Sequence, residues 1–136
     1  MGTKITGKYT GSLRNNLIHN QSNKTIITDA PLDNNGKGES FSPTDLVAAA
    51  LGSCMLTIIA IRANSKNINI GNPTYEIKKH MESSPRKISV IEINIIFFQS
   101  FSEDQKSYLE EEAKNCPVAL SIDSSIEQRI TFNYSN

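Results

Sequence analysis

Apolar and polar positions change their spacing several times along the chain, and each change marks an element. Residues 4–10, 15–20 and 24–29 alternate over short runs, as half-covered strands do. Gln21-Ser22-Asn23 between the last two reads as a hairpin turn. Ala30-Pro31 and then Asp33-Asn34-Asn35-Gly36-Lys37-Gly38 are turn formers, which predicts a polar loop over 29–39, with room for mobility.

The strongest local signal follows. Ser42 can cap a helix, Pro43 suits the first helical position, and Asp45 sits three residues after the cap. The spacing predicts a helix from there to about Ser65, apolar on nearly every side between Leu46 and Ile61. Its candidate inward stripe is Val47, Ala50, Leu51, Cys54, Ile58 and Ile61. That run falls short of the ~20 residues of a typical span and contains Gly52, Ser53, Cys54 and Thr57, so it predicts a buried core helix. A helix with no wet face must be surrounded by protein. One small domain barely covers it, so the pattern predicts a dimer with a shared core.

Beyond Gly71-Asn72-Pro73, residues 74–82 read as a strand, Ser83-Ser84-Pro85 as a turn, and 86–98 as a long strand. The alternation changes phase at Val90–Ile91, which marks a bulge or a strand covered on both faces. Ser102 with Gln105 forms a second capping box, opening a helix to Asn115. Cys116-Pro117 opens another over 118–122, and 126–134 closes as a strand with Ile130, Phe132 and Tyr134 on one face. The order βββ-α-ββ-αα-β is an α+β arrangement with antiparallel pairing, in a single domain over 1–136.

Composition narrows the function. Fourteen basic residues balance fourteen acidic ones without a basic stripe, so the chain offers little to nucleic acid. The opening residues carry Lys4 and Lys8 and lack the apolar core of a signal peptide, so a cytoplasmic protein with no membrane partner is expected. In that compartment thiols stay reduced, so the two cysteines, Cys54 and Cys116, are expected to serve chemistry, metal binding or packing. Cys54 lies inside the apolar helix, where a free cysteine is commonly a small buried hydrophobe. Cys116 precedes proline at a helix start, where unpaired N–H groups and the positive helix end favour a thiolate. Without CxxC, and with His19 and His80 as the only histidines, the chain lacks a zinc-like ligand set. Both histidines read as structural, although His19 is near Arg14 in sequence and could line one pocket with it.

Around these cysteines the chain resembles a known family. Gly38-Glu39-Ser40-Phe41-Ser42-Pro43-Thr44-Asp45-Leu46, continued by Ala48-Ala49-Ala50-Leu51-Gly52-Ser53-Cys54-Met55, is similar to the signature of the OsmC/Ohr family (osmotically inducible protein C-like, organic hydroperoxide resistance-like). Ala113-Lys114-Asn115-Cys116-Pro117-Val118 is similar to its second cysteine motif. Thr28-Asp29-Ala30-Pro31 with Gly36-Lys37-Gly38 resembles a less studied branch. The resemblance implies an intertwined homodimer, with antiparallel sheets around a long central helix. It implies a thiol peroxidase for oxidative stress defence, acting on organic hydroperoxides or hydrogen peroxide. Cys54 would be the peroxidatic residue, Cys116 the resolving one, and a lipoyl- or thioredoxin-type dithiol the external reductant, with no bound cofactor or metal.

The resemblance also implies an arginine that keeps the thiolate charged and a glutamate that holds the arginine. Arg14 is the first candidate for the cation, ahead of Arg62 and Arg86. The usual glutamate position is Thr44 here, which leaves Glu39 or Asp45 as the acid. Two other functions stay open. One is a binding module for a small apolar ligand on the same scaffold. The other is a cysteine hydrolase, which would need a histidine partner for Cys54 and has no local signature here.

Overall fold

The computed structural model describes residues 2–135 and divides the chain into two compact units, Met1–Val47 and Ala48–Asn136.

In the first unit, β1 (Ile5–Gly11), β2 (Arg14–His19) and β3 (Lys24–Asp29) form an antiparallel meander in the order β1-β2-β3. Ser12 and Leu13 join β1 to β2 with φ of 54° and 62°, the left-handed pair that suits the twist of a two-residue hairpin. The turn after β2 includes Gln21-Ser22-Asn23, as the sequence predicts, closed by Asn23 N–H donating to His19 O at 2.8 Å. The segment expected to be a loop is one, and backbone bonds tie it down. Leu32–Asn34 forms a 3-10 turn, Gly36 N–H donates to Pro31 O at 2.9 Å, and Gly38 N–H to Ala30 O at 3.1 Å. Gly36 is required there, because a Cβ would lie 1.8 Å from Ala30 O. Turn-forming residues signal irregular backbone, and backbone hydrogen bonds decide whether it is ordered.

Helix α1 (Pro43–Ser65) begins where the capping residues place it. Ser42 Oγ accepts from Asp45 N–H at 3.1 Å, and Asp45 Oδ2 accepts from Ser42 N–H at 2.9 Å. This reciprocal pair satisfies two otherwise orphaned donors. By length and composition α1 could also cross a membrane.

In the second unit, β4 (Thr74–Glu82), β5 (Lys87–Phe97) and β6 (Glu127–Tyr134) form a sheet in the order β4-β5-β6. The β4–β5 pair is antiparallel, as expected, but β6 lies parallel to β5. The antiparallel expectation fails for this pair because α2 (Glu103–Lys114) and α3 (Pro117–Ser121) intervene. A helical crossover can return the chain in the same direction, whereas a tight turn reverses it. The phase change in β5 is a bulge: His80 pairs with Val90 and Met81 with Ile88, leaving Ser89 as the extra residue.

Beyond the bulge, β5 alternates cleanly. Ile91, Ile93, Ile95 and Phe97 are buried and join Leu51, Met55, Ile59 and Ala63 of α1 and Leu109 and Ala113 of α2 in one core. Each such large side chain contributes about 1.5–3 kcal/mol of burial. The inward stripe of α1 is thus Ala48, Leu51, Gly52, Met55, Ile59 and Ala63, rotated from the one read in the sequence. Of the expected stripe only Leu51 is buried; Cys54 and Ile58 are half-buried, and Val47, Ala50 and Ile61 are exposed. A helix that is apolar all round carries no signal for which side faces in. Gly52 settles the rotation, since a Cβ there would lie 2.6 Å from Ile77 Cδ1 of β4. Helix α2 starts on the expected capping box, Ser102 with Gln105.

Candidate functional site

The second unit brings Cys54 and Cys116 together. Cys54 is on α1 between the buried Leu51 and Met55 and is itself half-buried. Cys116 is fully buried between α2 and α3. It caps α3 with extended backbone (φ −69°, ψ 153°), and Pro117 occupies the first helical turn, as the sequence predicts. Two successive amides of that turn point at the two sulfurs. Val118 N–H donates to Cys54 Sγ at 3.5 Å, and Ala119 N–H donates to Cys116 Sγ at 3.4 Å. The two sulfurs thus sit against adjacent amides of one turn, and both are free, without a disulfide. Gln128 of β6 braces the turn by donating to Ala119 O at 3.0 Å.

Cys116 does not behave as its helix-start position suggests. Burial pushes its thiol above the ordinary range, the Ala119 amide pulls it down, and the neighbouring Cys54 raises it again. Desolvation outweighs the amides because the sulfur has no access to water. The residue expected to be reactive on local grounds is therefore the sealed one, and Cys54 is the one that solvent reaches. The amides of Val118 and Ala119 were not singled out from sequence; the Cys-Pro helix start was the available signal.

The expected activating residues lie in the first unit. Arg14 Nη2 meets two carboxylates, Asp29 Oδ2 at 3.0 Å and Glu39 Oε1 at 2.9 Å. Glu39 N–H also donates to Asp29 Oδ2 at 2.9 Å. The Arg14 bond, followed by the Glu39 amide, holds the Asp29 carboxyl below its usual range, and Asp29 and then Glu39 raise the Arg14 guanidinium. Arg14 Nε is buried and has no hydrogen-bond partner among the described residues. Asp29, fully buried, was missed from sequence, although Arg14 and Asp29 are direct register partners once β2 and β3 pair. Asp45 caps α1, and Thr44 Oγ1 lies 3.2 Å from Ser42 Oγ.

The other candidates are accounted for by local structure. Arg62 pairs with Glu112 of α2 at 3.0 Å, and Arg86 lies exposed in the turn before β5. His19 Nδ1 is bonded to Ser22 Oγ at 2.6 Å. It lies five positions from Arg14 along β2, an odd offset, so the two project from opposite faces of the strand and do not line one pocket. His80 Nε2 pairs with Glu92 on the sheet face away from the core, where Arg129 also meets Glu92 at 3.3 Å. A groove of about 810 Å³ on that face, bordered by Glu76, Lys78, Glu92, Asn94 and Arg129, includes neither cysteine. Among the described residues, no cluster of three or more His, Cys, Asp or Glu is placed to hold a metal.

Comparison with known proteins agrees with this architecture. A candidate osmotic stress induced and detoxification response protein from Psychrobacter arcticus is 47% identical, with 97% of this chain and 96% of that one covered and a TM-score of 0.92. An organic hydroperoxide resistance protein from Legionella pneumophila (16% identity, 96% of each chain, TM-score 0.77) shares the fold. So does one from Bacillus subtilis (15% identity, 97% of this chain and 98% of that one, TM-score 0.69). A search of curated proteins found no match. The family model described as OsmC-like protein matches residues 36–131, a stretch that includes both cysteines and begins after Arg14 and Asp29. The chain belongs to the OsmC-like protein family.

Proposed function

We propose that the protein is a two-cysteine thiol peroxidase that reduces organic hydroperoxides in oxidative stress defence. The observation that carries the reading is the pair of free thiols gathered on successive amides of one helical turn, one half-buried and one sealed. The Cys54 thiolate attacks the distal oxygen of ROOH; the O–O bond breaks, and the alkoxide leaves as ROH after taking a proton. Cys54 becomes a sulfenic acid. The Cys116 sulfur attacks it, water leaves, and a Cys54–Cys116 disulfide forms. A lipoyl- or thioredoxin-type dithiol then returns both thiols by exchange and is itself oxidised to a disulfide. The hydroperoxide resistance proteins that share the fold support the substrate class.

In this reading Arg14 supplies the cation, and Asp29 with Glu39 holds it in place of the family glutamate. The unpartnered Nε supports that role, because it leaves the guanidinium a free donor. The protein works as a homodimer. Support comes from α1, whose exposed side carries Val47 and Ile61, and from the first sheet, where Ile5, Tyr9 and Ile26 share one face and are more than half exposed.

The test is dithiol oxidation driven by cumene hydroperoxide. Cys54→Ser is expected to abolish it, and Cys116→Ser to allow one turnover that stops at a sulfenic acid trapped by dimedone. Wild-type turnover in the Cys54→Ser protein would end the proposal.

A further inference from the structure

We infer that Gln128 is a positioning residue for the second step of the cycle: its side-chain amide ties α3 to β6 and so holds the Cys116 sulfur in place to close on Cys54. The inference deepens the peroxidase reading and rests on it.

Gln128 stands where the strand pattern calls for an apolar side chain. In the β5–β6 ladder it is the register partner of Ile91, as Ile130 is of Ile93 and Phe132 of Ile95. Register partners share a face of the sheet. Ile91, Ile93 and Ile95 are buried in the core, so Gln128 is the polar member of the inward row of β6. A polar group on that side needs a partner. Its Nε2 has one in Ala119 O, at 3.0 Å.

Helix α3 needs this tie. At five residues it is far shorter than a helix that holds itself in water. The last carbonyls of a helix have no partner inside it, and Ala119 O is among those of α3. Ala119 also donates its N–H to Cys116 Sγ at 3.4 Å, and the preceding Val118 donates to Cys54 Sγ at 3.5 Å. One side-chain bond from β6 thus fixes the turn on which both sulfurs rest. When Cys116 attacks the Cys54 sulfenic acid and water leaves, a fixed turn lowers the entropic cost of bringing sulfur to sulfur.

The test reads a disulfide equilibrium and uses no peroxide, so it can fail separately from the peroxidase reading. Reduced full-length protein is equilibrated with mixtures of glutathione and glutathione disulfide, and the Cys54–Cys116 bond is quantified by mass spectrometry after acid quenching. Glutathione disulfide reacts at the half-buried Cys54, and Cys116 then displaces the glutathione. The electrons and protons of the two thiols leave on two molecules of glutathione as the S–S bond forms. Gln128→Met keeps the length of the side chain and removes the donor. It is expected to lower the equilibrium constant for closing the bond about tenfold, the upper end for one hydrogen bond, which raises the potential of the pair by about 30 mV. Gln128→Glu sets a carboxylate against the carbonyl at neutral pH and is expected to lower the constant at least as far. Tyr134→Phe controls for general loosening. It removes the 2.6 Å bond from the same strand to Glu110 of α2 and is expected to leave the constant within about twofold of wild type. The inference is overturned if folded Gln128→Met closes the bond as readily as wild type, or if Tyr134→Phe weakens it as much as Gln128→Met does. Peroxide turnover is measured apart from this: a wild-type protein that closes the bond yet reduces no hydroperoxide ends the peroxidase reading, while Gln128→Met still decides the tether.

Discussion

Arg14 lies directly opposite Asp29 across the β2–β3 ladder, and its Nη2 holds Asp29 Oδ2 at 3.0 Å. The carboxylate is fully buried, and its oxygen also accepts the Glu39 amide, so one atom fastens a strand, its neighbour and the loop beyond. The relation gives a pH-dependent prediction. The folded carboxyl titrates below its unfolded value of about 3.9. Its contribution is therefore complete above that pH and is lost as pH falls through the folded value. Asp29→Asn is expected to lower the melting temperature at neutral pH, with the gap to wild type closing as pH falls through the lowered folded value. Thermal melts followed by circular dichroism at several pH values check this; a gap independent of pH would count against the ion pair.

Cys116 should be a slow thiol. Burial is the leading cause of its raised titration, and that cause survives loss of Cys54. In Cys54→Ser, alkylation of Cys116 is expected to rise only above the ordinary thiol range of about 8.5. A pH–rate profile with iodoacetamide checks it, and a midpoint near or below neutrality would show that the amides outweigh burial.

Asp45 separates a cap from an activating acid. Its carboxylate accepts the Ser42 amide, so Asp45→Ala is expected to cost about 1 kcal/mol of stability. Asp45→Glu, which completes the usual capping box, is expected to recover most of that. Peroxide turnover of the folded Asp45→Ala protein should match wild type; a large loss of turnover would return Asp45 to the site.

The dimer proposal is read from dilution. If a second copy covers the exposed side of α1, folded protein should not persist as a monomer, and the melting temperature should fall with protein concentration. A compact monomer with a concentration-independent melt would contradict it.

Much of this was legible in the chain. Ser42-Pro43-Thr44-Asp45, Ser102 with Gln105, and Cys116-Pro117 placed three helix starts correctly, because caps are local chemistry within four residues. The alternation through Ile91, Ile93, Ile95 and Phe97 identified the inner face of β5; the break at Val90–Ile91 left a bulge or a doubly covered strand open, and the register makes it a bulge at Ser89. The two cysteine motifs carried the family, and with it the roles proposed for the two thiols.

The sequence by itself determined the elements, their order and the two cysteines, since each is written in short-range spacing. The tertiary structure decided the rest. It turned α1 to its Ala48–Met55–Ile59 side, because a helix apolar all round has no preferred face until Gly52 meets Ile77. It laid β6 parallel to β5, because a crossover can return in either direction. It paired Arg14 with Asp29 through strand register. It also reversed the expected standing of the thiols, since burial of Cys116 depends on what packs over it, while its helix-start position does not.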